Sequence, residues 1–466
     1  MSFEVLRDII KNSTKFGGVP LYTKLADFAP GIKDRNNYGN VKDIPLYKKL
    51  KFVVQNHYAR KAGFHHDIRL GDKELHSFVS KHGLPKPGEK RLFIQQPLHT
   101  REYADFRGEI KSGYGAGKVT TNESGSAIVT KAEPKKINFT LLHRKFPEQF
   151  SLINTKGKNW LALNTSPTNA KKYIKNPEAL NKLKMKSLTN PDLKELSKTH
   201  LISAKLSGAS NLFRLNKNSV DVVSYRVSKT GRPIIHTLKM FGLDKQDLDI
   251  PDELVGTILR GELYGIRSGE AIPEQTLGGL LNSSTEKSLN TQKKEKIKLK
   301  AAIFDIVGFK GGPDNRRAKI QEILQHLPKD KFEEVPYLDR ENVVKKIQDI
   351  AKGKNKLTSE GVVAWSRKNN EPFKLKNFIE RDVYARGFSE GKGRLKNKGV
   401  GAVKYSLTPK SKVVGEVASG LTDATRKDIY NNPKDYLGRI ANVRYSKQMR
   451  SGALFQPSFL TWHESK

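Results

Sequence analysis

The chain has 466 residues, with 86 Lys and Arg against 48 Asp and Glu, a formal net charge of +38 and no cysteine. This length predicts about two to four domains, and the positive charge indicates a polyanionic partner, either nucleic acid or an anionic membrane surface. The absence of cysteine excludes disulfides and thiol chemistry, and no apolar run is long enough to cross a bilayer, so we expect an intracellular nucleic-acid-binding protein.

The first 165 residues divide into a lead-in and a strand-rich region. Residues 1–50 predict a short amphipathic helix near Leu6 and Ile9, followed by Gly- and Pro-containing turns. From residue 51 to 165, short apolar runs alternate with turn signals, a spacing typical of an antiparallel sheet folded into a barrel or sandwich. The runs are FVVQ, HHDIRL, LHSFVS, RLFIQ, SAIVT, FTLLH and WLAL.

Histidines are concentrated in this strand-rich region: six of the 11 lie at positions 57, 65, 66, 76, 82 and 99. Alternation in HHDIRL places His65, Asp67 and Arg69 on one face of a strand. Imidazole and carboxylate groups together bind divalent transition metals, and an adjacent Arg binds phosphate oxygens. Each residue alone is more often structural, but the grouping predicts a metal-assisted phosphoester site. Its candidate residues are His57, His65, Asp67, Arg69, Arg91, His99 and Tyr103.

Three further regions follow in the chain. Residues 166–198 are Lys-rich with three prolines, and they predict a basic linker with helical pieces. Residues 199–378 alternate again and predict a second domain, whereas residues 379–466 carry strand-like VKYSL, VVGEVA and RIANVRYS and have the size of a small barrel domain. The second domain contains the segments KLSG (205–208), LRGELYG (259–265), AAIFDIVGF (301–309), SEGVVAW (359–365) and PFKLK (372–376).

The blocks FVVQNH, HHDIRL, LHSFVSKHG, KRL, HTREYADF and GYGAGKV follow one another as in the 3′-phosphoesterase domain of bacterial ligase D, the end-joining DNA ligase. The resemblance covers about residues 51–165. It implies a divalent metal, typically Mn²⁺, and removal of 3′-phosphates and 3′-terminal ribonucleosides to leave a 3′-OH. By motif, the metal and catalytic positions are His57, His65, Asp67 and His99, and the phosphate-site positions are Arg69, Arg91 and Tyr103. Pro97 and Leu98 stand where that family has acidic residues.

The segments after residue 199 resemble the ordered nucleotidyltransferase motifs of ATP-dependent DNA ligases, followed by the oligonucleotide-binding (OB) fold of ligase D. The resemblance implies that Lys205 attacks the α-phosphate of ATP, for which its amine must be neutral, and becomes linked to AMP. It further implies metal or ribose contacts from Glu262 and Glu360 and an adenine-stacking surface at Phe304. Cofactor-binding positions are completed by Lys229, Lys374 and Lys376, the last two on one face of a strand.

The ligase motifs also depart from the family pattern. Ser207 and Ser210 stand in KLSGAS where the family has Asp and Arg, and Lys229 stands for Arg in SKTG. His463 and Ser465 replace the Arg and Asp of the C-terminal motif. Lys cannot reproduce a planar bidentate Arg contact, so altered or absent ligation is a consequence to be tested.

The resemblances predict a multidomain chain, β-rich and α+β. Its parts would be a barrel-like phosphoesterase domain (51–165), an α+β nucleotidyltransferase domain (199–378) and an OB-fold barrel (379–466). The predicted function is repair of blocked 3′ ends and sealing of DNA nicks, with ATP, Mn²⁺ for the phosphoesterase, and Mg²⁺ or Mn²⁺ for the ligase. Alternatives are an RNA or mixed-strand ligase, or an active phosphoesterase with a degenerate, DNA-clamping ligase module. We expect a monomer that binds DNA and an end-binding protein but no membrane, in the nucleoid-associated cytoplasm or, if viral, at the site of viral DNA replication.

Overall fold

The computed structural model describes residues 31–113, 115–187, 193–338, 361–376, 379–449 and 451–463. The chain divides into two compact units. The first unit comprises Met1–Lys182, Gly208–Lys310 and Arg316–Glu334, and the second comprises Leu183–Ser207, Gly311–Asn315 and Val335–Lys466. The helix predicted near Leu6 lies outside the described residues. Within them, no helix combines the length and the apolar character needed to span a membrane.

The first unit begins with a closed barrel of eight antiparallel strands, as predicted for residues 51–165. The strands follow the order β1-β2-β3-β4-β9-β8-β7-β6, and β6 pairs back to β1. β5 adds to the outer side of β6. The strands are β1 Lys49–Ala59, β2 Gly63–Gly71, β3 Glu74–Ser80, β4 Lys90–Thr100, β5 Gly108–Ile110, β6 Gly117–Glu133, β7 Lys136–Leu141, β8 Glu148–Lys156 and β9 Asn159–Asn164.

Strict alternation along β2 separates the barrel core from the candidate site. Ile68 and Leu70 lie in the apolar core with Phe52, Phe78 and Trp160. Asp67 and Arg69 face the other side of the strand, where Arg69 donates to the Asp67 carboxylate. Because side chains alternate with period two in a strand, one short segment supplies both the core and the site. The alternation predicted for HHDIRL is confirmed.

The sequence patterns did not predict one strand of the barrel. β8 has the sequence EQFSLINTK, in which polar residues separate the buried Phe150 and Leu152. The strand forms because it pairs with β7 on one side and β9 on the other. These partners are the preceding and following strands of the chain, but β8 has too few apolar residues to give the apolar run by which the other strands are recognised.

A second sheet of the first unit has the order β14-β13-β12-β15-β17-β18, with β16 paired to β15. β17 and β18 are parallel, and the other pairs are antiparallel. Its strands are β12 Ala209–Asn216, β13 Ser219–Val227, β14 Pro233–Ile235, β15 Ile258–Arg267, β16 Glu270–Ala271, β17 Lys298–Ile306 and β18 Phe332–Glu334. Its core includes Phe213, Leu259, Leu263 and Ile303.

The second unit contains two larger sheets. One has the order β10-β20-β19-β11, and the other has the order β23-β22-β21-β24-β27. β25 and β26 form a separate pair. The strands are β10 Lys186–Ser187, β11 His200–Ala204, β19 Gly361–Ser366, β20 Pro372–Lys376, β21 Ile379–Glu390, β22 Val400–Ser406, β23 Gly415–Val417, β24 Ile440–Tyr445, β25 Lys447–Gln448, β26 Leu454–Phe455 and β27 Ser458–Trp462.

Helices are short in the described residues. The α-helices are α1 Ala170–Ile174, α2 Leu193–Thr199, α3 Thr237–Phe241, α4 Glu274–Asn282, α5 Thr285–Glu295, α6 Pro313–Leu324, α7 Asp423–Asn431 and α8 Pro433–Tyr436. The 3₁₀ helices are Val41–Asp43, Arg101–Asp105, Pro177–Leu180, Asp252–Leu254 and Gly393–Leu395. The helical pieces expected in the basic segment 166–198 are therefore present.

Within the first unit, α5 connects the second sheet to the barrel through hydrogen bonds and an ion pair of Glu286. The Glu286 carboxylate accepts a hydrogen bond from Ser126 Oγ at 2.7 Å and pairs with Lys49 of β1. The Glu286 N–H donates to the Leu142 carbonyl at 3.0 Å. These contacts place the beginning of α5 against the barrel strands β1 and β6.

Candidate functional site

The β1–β2 hairpin brings His57 and His65 face to face. They are directly paired in the strand register, and their ring centroids lie 4.7 Å apart. Asp67 completes a group whose ligand atoms all lie within 4.8 Å of one another. His57 and Asp67 are buried and His65 is half-buried, so one edge of the group remains open. The structure thus brings together three of the four residues predicted as metal ligands for this region.

Backbone carbonyls fix the proton position on both imidazoles. His57 Nε2 lies 3.0 Å from the Gly115 carbonyl, and His65 Nδ1 lies 3.0 Å from the Gly63 carbonyl. A carbonyl only accepts, so each of these ring nitrogens carries the proton. The other nitrogens, His57 Nδ1 and His65 Nε2, then present lone pairs 3.4 and 3.7 Å from the Asp67 oxygens.

This donor set fits a divalent metal ion. Two neutral imidazoles and one carboxylate are typical ligands of transition metals, and bound imidazoles usually donate their second N–H to a carbonyl or carboxylate. Lone pairs of His57 and His65 directed at the Asp67 carboxylate repel it unless a cation lies between them. The group therefore has both the ligand chemistry and the local electrostatics of a metal site.

Asp67 is held in its charged form despite its burial. Burial raises the pKa of the Asp67 carboxyl, but the nearby Arg69 charge outweighs it and brings that pKa well below its usual range. Arg69 NH2 lies 3.1 Å from Asp67 Oδ2. The carboxylate is therefore available as a ligand throughout the physiological pH range.

Arg69 is itself enclosed by hydrogen bonds. Its NH1 donates to Gln55 Oε1 at 2.6 Å, its NH2 lies 3.3 Å from His99 Nε2, and the Tyr103 ring covers the guanidinium at 4.8 Å. The Arg69 Nε is buried and lacks an acceptor among the described residues. In this geometry Arg69 orients Asp67. A contact between Arg69 and a phosphate would replace one of the present partners of Arg69 or be added to them.

His99 lies beside Arg69 and outside the three-residue metal group. Its Nδ1 contacts the Pro97 carbonyl at 2.9 Å and Ser77 Oγ at 3.0 Å, which leaves Nε2 as the acceptor for Arg69. Burial, together with the Arg69 charge, lowers the pKa of His99 to about 3, so the ring is neutral. The structure thus places this predicted ligand on the phosphate side of the site.

Tyr103 packs over both neighbours, with its ring 5.0 Å from that of His99. Burial raises the pKa of Tyr103 to about 12. Gln55, which is fully buried, fixes this segment by donating to the carbonyls of Tyr103 and Phe106 at 3.1 and 3.0 Å. Sequence reasoning missed Gln55 and Ser77, because polar residues inside apolar strands give no local signal of their partners.

Arg91 lies apart from Arg69. It donates to Glu89 at 3.0 Å and lines a cavity of about 670 Å³. The cavity is bounded by Phe64, His66, Lys81, His82 and Arg91. The pKa of His66 is lowered, chiefly by burial and further by the electrostatic effect of the neighbouring His65 and Arg91. Lys81 and His82 were not predicted as site residues. The basic segment SKHG (80–83) at the end of β3 is the signal that could have identified them.

In the second unit, strand register aligns Lys205 with the strand that carries the two predicted phosphate lysines. The Lys205 N–H donates to the Gly361 carbonyl at 2.9 Å, and Gly361 pairs with Lys376 on β20. Lys374 pairs with Val363, two residues along the same ladder. The side chain of Lys376 and all of Glu360 lie outside what the structure describes.

In the first unit, Glu262 and Phe304 lie on neighbouring strands. Glu262 pairs with Ser210 on β12 and with Ala302 on β17. Phe304 is the extra residue of a β-bulge, because Arg260 pairs with Asp305 while the next residue already pairs with Ile303. A bulge redirects a side chain, and Phe304 is half-buried.

Gly208 approaches β15 too closely for any side chain. An added Cβ would lie 2.5 Å from the Leu263 carbonyl oxygen and 2.9 Å from Glu262 Cγ. The glycine of the KLSG segment is therefore required by this backbone contact.

Lys229 lies elsewhere in the first unit, in the turn after β13. It lines a cavity of about 420 Å³ together with Lys145 and Phe146 of the barrel and Lys239 of α3. In the second unit, the exposed His463 contacts Asp382 Oδ1 at 2.9 Å.

Comparison with known proteins supports the resemblance that the sequence motifs predict. Residues 55–154 match the family model described as the DNA ligase D 3′-phosphoesterase domain. The chain is 26% identical over 470 residues to the multifunctional non-homologous end joining protein LigD of Mycolicibacterium smegmatis, covering 88% of this chain and 56% of that protein. The chain resembles ligase D. A LigD of Pseudomonas aeruginosa is 34% identical over 118 residues, 23% of this chain and 13% of that protein.

The resemblance to ligase D predicted from the motifs is therefore confirmed, and the matched segment contains all seven candidate residues of the barrel site. The chain spans only about half of the M. smegmatis LigD. Among solved structures, a Lig E DNA ligase aligns with 61% of this chain and 99% of its own, with 15% identity and a TM-score of 0.43. The ligase domain of M. tuberculosis LigD aligns with 60% of this chain and 95% of its own, with 16% identity and a TM-score of 0.28.

Proposed function

We propose that the chain is a bifunctional DNA end-repair enzyme, which removes 3′-phosphates at the barrel and seals nicks with its ligase-like half. The observation that carries the proposal is the grouping of His57, His65 and Asp67 beside Arg69, in a segment that matches the ligase D phosphoesterase model. The +38 charge supports a DNA substrate, since many phosphate contacts give sequence-independent affinity that falls with salt.

At the barrel, His57, His65 and Asp67 would hold the metal ion. Bound Mn²⁺ supplies Lewis-acid activation of a phosphoryl oxygen and of water. Arg69 keeps Asp67 charged and lies where it can neutralise a phosphate oxygen. His99 is neutral and its Nε2 accepts from Arg69, so this nitrogen is suited to accept a proton when a phosphate displaces that bond. The product is a 3′-OH, and the same site would remove a 3′-terminal ribonucleoside.

In the ligase-like half, Lys205 would attack the α-phosphate of ATP through its neutral amine and release pyrophosphate. Glu262, Phe304, Lys374, Lys376, Lys229 and Glu360 would bind the nucleotide and its metal, Mg²⁺ or Mn²⁺. The AMP group would then pass to a 5′-phosphate, and attack by a 3′-OH would form the phosphodiester and release AMP. The two halves belong together because sealing requires the 3′-OH that the barrel produces.

The sheet β23-β22-β21-β24-β27 is proposed to be the OB-fold domain, which would bind the DNA duplex. Its size, its five paired strands and its position after the nucleotidyltransferase motifs support this proposal. We further propose that the enzyme is a monomer and that an end-binding protein is its partner. Ser207, in place of an acidic residue, is the feature that favours an RNA or mixed-strand substrate instead.

Two measurements test the proposal. For the ligase-like half, the full chain is incubated with α-labelled ATP and Mg²⁺; we expect a covalent adenylate that is absent from Lys205→Ala, and its absence from the wild type would contradict ligation and favour a DNA-clamping module. Nicked substrates with DNA and RNA strands exchanged then identify the substrate. For the barrel, Mn²⁺-dependent release of phosphate from a 3′-phosphorylated strand should be lost in His65→Ala.

A further inference from the structure

A positively charged cavity lies between the barrel and the second sheet of the first unit. Its volume is about 420 Å³. The barrel contributes Lys145 and Phe146, which lie in the loop between β7 and β8. The other wall contributes Lys229, in the turn after β13, and Lys239 of α3. The described lining contains no acidic side chain, so three lysines face one space without a carboxylate.

Lys239 is the buried member of this set, with 3% of its surface exposed. Its Nζ donates to the Leu281 carbonyl at 2.6 Å and to the Ser283 carbonyl at 2.8 Å, at the C-terminal end of α4. These carbonyls accept from two of the three N–H groups of the ammonium and carry only partial negative charge. Among the described residues no carboxylate contributes to the pKa of Lys239, which burial and then the charge of Lys145 lower to about 8. The amine is therefore mostly charged at pH 7 and lacks a full counter-charge.

Lys145 approaches the same space from the barrel. It is exposed, and its Nζ lies 5.6 Å from the centroid of the Phe146 ring, a cation–π distance that restrains the side chain. The hydroxyls of Ser228 and Thr230, 3.0 Å apart, belong to the same lining. Ammonium and hydroxyl groups are side-chain donors that bind phosphate oxygens. An anion in the cavity would also relieve the repulsion between Lys145 and Lys239.

Contacts between the barrel and the second sheet fix the two walls of the cavity. Three residues after Lys145, the Glu148 carboxylate pairs with Arg232 of the second sheet's turn at 3.5 Å. The hydrogen bond between Ser126 and Glu286 joins the barrel to α5. The cavity is therefore part of the folded first unit.

We propose that this cavity binds a backbone phosphate of the DNA strand, through Lys145 of the barrel and Lys239 of α3. The choice of DNA rests on the proposed function, since DNA is the substrate that the barrel and the ligase-like half would share. Lys229, proposed above as a nucleotide contact, lines the same cavity, so ATP is the competing source of a phosphate. The barrel thereby adds to the affinity of the whole chain for DNA through residues that its metal group does not use.

The first test uses the full chain without metal, so that no turnover occurs. An amine-acylating reagent is applied to the protein alone, with a nicked DNA duplex, and with ATP, and the modification of each lysine is measured by peptide mass spectrometry. With DNA at about ten times its Kd, we expect acylation of Lys145 to be about ten-fold slower. Lys156, which is exposed at the far end of β8, should react at an unchanged rate.

The outcomes separate the two sources of phosphate. Protection of Lys145 by DNA supports the inference, whether or not ATP also protects it. Protection by ATP without protection by DNA would assign the cavity to the nucleotide and overturn the choice of a strand, and protection by neither would overturn the phosphate site. A chain that binds no DNA would contradict the proposed function as well, whereas DNA binding that leaves Lys145 unprotected would overturn this inference alone.

The second test measures how DNA binding depends on salt. Fluorescence anisotropy of a labelled nicked duplex gives the Kd of the full chain at several salt concentrations, again without metal. Loss of one phosphate contact lowers the slope of log K against log[salt] by about 1, and we expect this change in Lys145→Gln. Lys145→Arg keeps the charge and should keep the wild-type slope, as should Lys156→Gln, which removes the same charge from the far end of β8. An unchanged slope in Lys145→Gln, or an equal decrease in Lys156→Gln, would overturn the inference.

Discussion

His57 and His65 lie directly opposite each other in the β1–β2 pair, and each donates one ring N–H to a backbone carbonyl. The remaining nitrogens therefore both present lone pairs toward Asp67. Two strands that are adjacent in sequence thus build a candidate metal site, in which the carbonyls of Gly63 and Gly115 accept from the second nitrogen of each ring and fix its tautomer.

Replacing Asp67 with asparagine should weaken metal binding. Asp67→Asn keeps the shape of the side chain but removes the negative charge that two imidazoles cannot supply, so we expect the affinity for Mn²⁺ to fall at least about ten-fold. Titration of free Mn²⁺ by electron paramagnetic resonance measures this change. Asp105→Asn removes an exposed carboxylate of the same barrel and is the matched control. Equal affinity in Asp67→Asn and the wild type would exclude Asp67 as a ligand.

Gln55 should contribute to the stability of the fold. Gln55→Ala leaves the carbonyls of Tyr103 and Phe106 and one N–H of Arg69 without their present partner. We expect the free energy of unfolding to fall by about 3 kcal/mol, since buried unpaired polar groups are costly. Urea denaturation measures the change. Gln96→Ala, which loses only weak bonds to neighbouring carbonyls, should cost far less; an equal cost would remove the structural role assigned to Gln55.

Gly208 should tolerate no side chain. In Gly208→Ala the new methyl group meets the Leu263 carbonyl, so the chain before β12 must shift, and this segment carries Lys205. We expect adenylate formation to fall at least about ten-fold, because small displacements of a nucleophile are costly. Gly279→Ala on α4, where an added methyl meets open space, is the control and should keep full activity. Normal adenylate formation by Gly208→Ala would contradict the steric argument.

Buried His236 should make stability depend on pH. Burial and then the Lys239 charge lower the pKa of His236 from 6.5 to about 3. Between these values the unfolded chain binds a proton that the folded chain does not, so stability is fully present above pH 6.5 and is lost as the pH falls toward 3. In His236→Gln, the loss of unfolding free energy between pH 7 and pH 5 should be smaller by about 2 kcal/mol. Urea unfolding at the two pH values checks this, with the exposed His326→Gln as control.

The metal group was predictable because its geometry is local. His57, His65 and Asp67 lie on two strands joined by a short turn, and alternation alone sends them to one face. The same local patterns predicted the barrel, since most of its strands are apolar runs separated by turns. The short-range pattern was sufficient where a strand carries its own run of apolar residues and pairs with the next strand in the chain.

Other features depended on pairings between distant segments. Arg91 was expected near Arg69, but β4 pairs with β9, and Arg91 lines the cavity of His66 instead. His99 was expected as a metal ligand, but Arg69 and Ser77 determine its orientation from other strands. For Arg91 and His99 the decisive contact joins residues far apart in sequence. β8 is a different case, because it pairs with the preceding and following strands but has too few apolar residues to be recognised.

The central claim is that His65 belongs to a metal centre that removes 3′-phosphates. The most direct measurement is release of inorganic phosphate from a 3′-phosphorylated DNA strand by the full chain with Mn²⁺, compared with His65→Ala and with wild-type protein in excess chelator. We expect release by the wild type, its loss in both other samples, and full release by His326→Gln, in which an exposed histidine is changed. Undiminished release by His65→Ala, or by the wild type in chelator, would contradict the account.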